Sequence, residues 1–73
     1  MKMKIMKFSD VPLGARFIFH IMLGVKISNH IVKNLKNDEP NCICLTEGKH
    51  YGHKCTINSE AKVSLIIEET FKT

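Results

Sequence analysis

Three cysteines and two histidines fall within the single stretch "CICLTEGKHYGHKC": Cys42, Cys44, His50, His53 and Cys55. Their spacing is C-x-C-x5-H-x2-H-x-C. Thiolate and imidazole are the ligands zinc prefers, and four of these five would complete a tetrahedral site. A bound metal would also reinforce a small core. The spacing is not that of a standard zinc knuckle, however. C-x-C on a strand sends both thiols to one face, which suits a ligand pair or two small core residues, and free cysteine is among the most buried residue types. Buried thiols with exposed loop histidines are the favoured reading, and zinc is the alternative. Cys55 and His53 could pair as nucleophile and base. A cysteine nucleophile also needs an orienting group and an oxyanion hole, and neither is signalled nearby. No phosphate-binding glycine loop, dinucleotide fingerprint or paired carboxylates appear. The sequence is that of a binding protein rather than an enzyme.

The second set able to do chemistry is basic: Arg16, His20, Lys26, His30 and Lys33. The chain carries 11 Lys and Arg against 7 Asp and Glu, a net charge of +4. Residues 1–37 hold seven basic side chains and a single acid, Asp10, and the remainder is net acidic. A basic half attracts phosphates, RNA or an acidic protein surface. Arg16 suits a bidentate phosphate contact. Lys26 and Lys33 are expected on neighbouring strands beside Arg16 and His20, with Asn34 and Tyr51 available for polar and stacking contacts. Single-stranded nucleic acid calls for exposed aromatic platforms, and Tyr51, with Phe71 second, is all the sequence offers. The competing interpretation is a solvated basic face.

The elements that must position these groups are read from alternation and turn residues. Seventy-three residues make one small domain, spanning 1–73, that buries only about 60% of its unfolded surface. "KIMKF" suits a short strand. "SDVPLG" carries turn chemistry in Asp10, Pro12 and Gly14. "ARFIFHIM" alternates as a strand with Phe17, Phe19 and Ile21 on one face, and Gly24 ends it. "VKIS" and "IVKNL" suit two strands about a tight connection at Asn29 and His30. "CICLT", "KCTI" and "KVSLIIEE" complete the set. Helix signals are weak, because the β-branched content of the last segment favours strand. The expectation is all-β: an SH3-like barrel of about five or six short antiparallel strands, closed so that no edge is exposed.

The apolar run "FIFHIMLGV" is too short to span a bilayer, and no apolar run follows the basic "MKMKIMK", so a soluble, cytoplasmic protein is expected. An odd number of cysteines argues against a secreted disulfide framework. Ile18, Ile66, Phe71 and Met22 or Leu23 are hard to bury in so small a barrel, which points to a homo-oligomer.

The opening "KFSDVPLGARFIF" resembles the start of a large group of short phage and prophage proteins, which begin Met-Lys-Phe and continue into an Asp-Leu-Pro-x-Gly-x-x-Phe turn. "VKISNHIVKNL" is similar to the group's Val-Lys-Thr-Ser…Ala-x-Asn-Leu segment, with Ile27 for Thr and Val32 for Ala. "CTINSEAKVSLI" is similar to its closing strand pair. The likeness covers most of residues 6–67, which makes Met1 to Ile5 an N-terminal extension. The loop "ICLTEGKHYGHK" is longer and richer in Cys and His than the group's pattern. The resemblance implies an SH3-like barrel without catalytic residues, one that binds something of the host's. The implied partner is a component or nucleotide signal of antiviral defence. A nucleic-acid-binding barrel is the first alternative and a zinc-stabilised interaction module the second.

Overall fold

The computed structural model describes residues 2–36 and 38–68; Phe71 lies outside them. Among the described residues six strands form one antiparallel sheet: β1 (Lys2–Lys7), β2 (Arg16–Phe19), β3 (Met22–Lys26), β4 (Cys42–Cys44), β5 (Lys54–Cys55) and β6 (Lys62–Glu68). The spatial order is β1-β6-β2-β3-β4-β5. The all-β expectation therefore holds, in a small barrel-like form. Closure does not hold. The hydrogen-bonded ladder is open, with β1 and β5 as its two edges. Residues 2–5, expected as an extension, are the outer part of β1 and pair with β6.

The inner face follows from the register. Phe17 lies opposite Gly24 and Phe19 opposite Met22. Gly24 and Lys26 lie opposite Cys44 and Cys42, and Cys42 lies opposite Cys55. Alternation puts all of these on one side of the sheet. The core they build joins Phe8, Val11, Phe17, Cys42, Ile57 and Val63. The Phe8 and Phe17 rings meet edge to face with centroids 5.0 Å apart. Phe8 belongs to a single 3-10 turn, Phe8–Asp10, which continues the β1–β6 pairing through Phe8 N–H to the Ala61 carbonyl at 2.7 Å and Ser9 N–H to the Ser59 carbonyl at 2.9 Å.

Two sequence expectations are corrected here. "ARFIFHIM" is not one strand. It folds back at His20 and Ile21, with His20 at a φ of 55°, so the hairpin lies there and not at Asn29–His30. Ile21 leaves the face of Phe17 and Phe19 and stands 95% exposed at the hairpin tip. Gly24, expected to end the strand, sits inside β3 because nothing larger fits. A Cβ there would lie 2.9 Å from Phe17 Cζ and 3.3 Å from the Ile43 carbonyl oxygen. Gly24→Ala is therefore expected to destabilise the fold by about 1–3 kcal/mol through overpacking against a fully buried ring, read as a lower urea midpoint.

The second correction concerns "IVKNL", which is no strand. Residues 27–36 run as an irregular connection from β3 towards β4. Val32 is what pins it. Fully buried, it donates its N–H to Ser59 Oγ at 2.7 Å and accepts Ser59 N–H at 3.0 Å. His30 latches the same segment. Its Nε2 is 2.9 Å from the Glu39 carbonyl oxygen and its Nδ1 is 2.7 Å from Ser28 Oγ. A carbonyl can only accept, so Nε2 carries a proton, and in the neutral ring Nδ1 accepts from the hydroxyl.

Candidate functional site

A cleft of about 500 Å³ opens at one end of the sheet's inner face. Its floor is Met22, Cys44 and Cys55, and its rim is Lys49, His50, His53 and Lys54, with the exposed Ile21 beside them. The mouth of a small β-barrel is a common ligand position. Here Met22, Cys44 and Cys55 reach it from β3, β4 and β5, and Met22 and Cys55 also pack against the core.

The loop from Leu45 to His53 builds the rim. Leu45 N–H donates to the Leu23 carbonyl at 2.8 Å, Gly52 N–H to the Cys44 carbonyl at 2.8 Å, and His53 N–H to the His50 carbonyl at 3.0 Å. Thr46 Oγ1 accepts Leu23 N–H at 2.8 Å, which ties the loop to β3. Gly52, at a φ of 80°, makes the reversal that an L side chain would resist. The His50 and His53 rings then meet edge to face with centroids 5.8 Å apart.

The cysteines divide by depth. Cys42 and Cys44 are buried, Cys55 is half-buried, and all three are free thiols. Cys42 Sγ lies 3.5 Å from Cys55 Sγ, and Cys55 Sγ lies 3.9 Å from Met22 Sδ. Cys44 turns its thiol towards the Thr46 carbonyl instead, at 3.9 Å. Burial first, and then the neighbouring Cys55 thiol, push the Cys42 thiol far above its ordinary 9.0, so without a bound cation it stays protonated and poorly nucleophilic. Among the described residues, no three of His, Cys, Asp and Glu converge as metal ligands. The tetrahedral zinc set that is the alternative reading of Cys42, Cys44, His50, His53 and Cys55 is thus not assembled among the described residues, although the cleft gathers four of its five members.

The basic set is not brought together. Lys26, expected to face outward, is 3% exposed. Its Nζ donates to the carbonyls of Val11 at 2.8 Å, Phe8 at 3.1 Å and Ser9 at 3.4 Å, and stands 4.9 Å from the Phe8 ring centroid. Lys26 is therefore an internal clamp on the turn after β1. Arg16 opens β2 and His20 follows its last residue, so they lie at opposite ends of the strand, roughly 13 Å apart at its rise per residue. His20 packs on Phe19, with centroids 4.3 Å apart.

Lys33 and Asn34 sit in the irregular connection, where both backbone N–H groups donate to Asp38 Oδ2 at 3.0 Å. The Asn34 side chain accepts Lys36 N–H at 3.0 Å, which makes it a turn residue. Tyr51 is 58% exposed on the rim loop. Of the expected ligand contacts, Tyr51 is thus the one on the loop that forms the cleft. Met22, Lys49 and Lys54 were missed. The available signal was alternation: once the chain reverses at His20, Met22 falls on the inner face.

No helix among the described residues is long and apolar enough to cross a membrane. Compared with known proteins, the chain matches no family model, no curated protein and no solved structure.

Proposed function

We propose that the chain is a non-enzymatic binding protein that sequesters a small anionic ligand of the nucleotide class in this cleft. The observation that carries the reading is how the cleft divides: an apolar, sulfur-rich floor below a rim bearing Lys49, Lys54, His50 and His53. A flat, weakly polar base suits the floor. Phosphates suit the lysines, and Tyr51 on the same loop is exposed for stacking. Glu47 also lines the cleft, and its charge would bias the orientation in which an anion enters. In the phage setting that the opening residues resemble, the ligand is a nucleotide signal of host antiviral defence, met in the host cytoplasm, and holding it is the whole activity.

The proposal includes self-association. β1 is an edge strand with Ile5 72% exposed and Met3 also exposed, and both lie on the face of β6 that carries Ile66. A second copy laid against this edge would cover it, as unpaired edges otherwise recruit other chains.

Native mass spectrometry of protein purified from bacteria tests both parts. The expected result is an oligomer carrying added mass in nucleotide-sized units, with that mass lost and the oligomer kept in a Lys49→Glu/Lys54→Glu variant. A bare monomer would overturn the reading. Steeply salt-dependent binding to DNA of any sequence, with no small ligand retained, would put a nucleic-acid interface in its place.

A further inference from the structure

We infer that the floor of the cleft is a binding site for a soft monovalent metal ion, copper(I), held by the sulfur atoms of Cys42, Cys55 and Met22. The inference goes beyond an anionic ligand at the rim and does not depend on it. Cys55 Sγ stands beside a sulfur from each of two other strands, 3.5 Å from Cys42 Sγ and 3.9 Å from Met22 Sδ. With metal–sulfur bonds of about 2.3 Å, a planar three-sulfur site has edges of about 4 Å. The two sides of the triangle that contain Cys55 are thus within about half an ångström of that spacing.

The donor set selects the ion. Two thiols and a thioether are soft ligands, the kind that favours copper(I) over harder divalent cations. Zinc asks for four nitrogen or thiolate donors, and no three of His, Cys, Asp and Glu converge among the described residues. The methionine is what distinguishes this set from a zinc site. It lies at the start of β3, on the inner face and opposite Phe19.

Access and charge fit as well. Met22 and Cys55 line the cleft and Cys42 is buried beneath them, so an ion entering through the mouth meets the half-buried pair first. Each ligating thiol gives up its proton to solvent on binding. Two thiolates and one monovalent cation leave the site with a single negative charge, and Lys49, Lys54, His50 and His53 stand around the mouth to offset it. Cys44 is the built-in contrast. It is a thiol from the same strand as Cys42, on the same inner face, but aimed at the Thr46 carbonyl.

The test is an anaerobic titration of the reduced protein with copper(I) supplied as its bicinchoninate complex, read by loss of the chelate's colour. The expected result is withdrawal of one copper(I) per chain, with zinc supplied at the same concentration left unbound. Met22→Leu, which keeps the side-chain volume, should weaken copper(I) binding by roughly tenfold or more while leaving the thermal midpoint nearly unchanged. Cys55→Ser should abolish stoichiometric withdrawal. Silver(I), an air-stable ion of the same class, should slow alkylation of the half-buried Cys55 in the folded protein. Failure to withdraw copper(I), equal binding by the Met22→Leu variant, or Cys55 alkylation unchanged by silver(I) would each overturn the site.

Discussion

Replacing Lys26 by methionine will lower the unfolding free energy by about 2–4 kcal/mol. The substitution keeps the length of the aliphatic stem and removes the ammonium that satisfies three backbone carbonyls. Phe8 O retains the Val11 N–H at 3.1 Å, so the loss falls on the carbonyls of Ser9 and Val11. A domain of this length has about 4–11 kcal/mol of stability in total, so one lysine accounts for a large share. Burial lowers its pKa below the ordinary 10.5, with Asp10 opposing. The unfolded chain therefore binds this proton more tightly than the folded one. Stability from this group rises with pH between the lowered folded value and 10.5, and the gap between wild type and Lys26→Met should widen across that window. Urea titrations of both chains at neutral and alkaline pH check both statements. A variant within about 0.5 kcal/mol of wild type at neutral pH would show that the clamp holds nothing.

The second large effect is expected at Asn41, which is fully buried. Its side-chain amide imitates a strand. Oδ1 accepts Ile57 N–H at 2.9 Å and Nδ2 donates to the Ile57 carbonyl at 2.7 Å, while its own N–H reaches the Cys55 carbonyl at 3.0 Å. It thereby carries the β4–β5 pairing beyond the two ladder pairs. Asn41→Ala should cost about 2–4 kcal/mol, because it leaves both polar groups of Ile57 without a partner and opens a cavity. Asn41→Asp is the sharper test. An ionised carboxylate still accepts from Ile57 N–H but faces the Ile57 carbonyl with a second acceptor. Protonation restores a donor, and burial raises the folded pKa of such a group above its unfolded value. The Asp variant should therefore regain stability as pH falls through that raised value, and the Ala variant should not. Parallel behaviour of the two variants with pH would rule out the amide pairing.

These two residues mark the boundary of what the sequence reveals. Phe17, Phe19 and Val63 announce an inner face by alternation, and β6 and the Phe8 turn follow from β-branched content and turn chemistry. Lys26 occupies an inner position too, but an expectation built on charge sends every lysine to solvent. Only the carbonyls of a turn fifteen residues earlier explain its burial. The reversal at His20 was hidden because alternation runs unbroken through "RFIFHIM" and no glycine marks the turn. "IVKNL" has strand composition, yet its one buried residue, Val32, pairs with Ser59 in isolation. The cleft was half legible. Cys42, Cys44 and Cys55 were visible as a set, but which thiols meet depends on the register of β4 against β5. Met22 enters only through the misplaced hairpin.

The cleft is walled by a short strand at one edge of the sheet. β5 has two residues, and among the described residues its one ladder partner is β4. Local opening takes least free energy where the fewest interactions must break, so the amides around Lys54 and Cys55 should exchange with solvent ahead of those of β2 and β6. Any occupant of the cleft would then act as a wedge that latches this wall shut. Its arrival would be recorded as slowed amide exchange in β5 alone, a signature that identifies a ligand's presence before its chemistry is known.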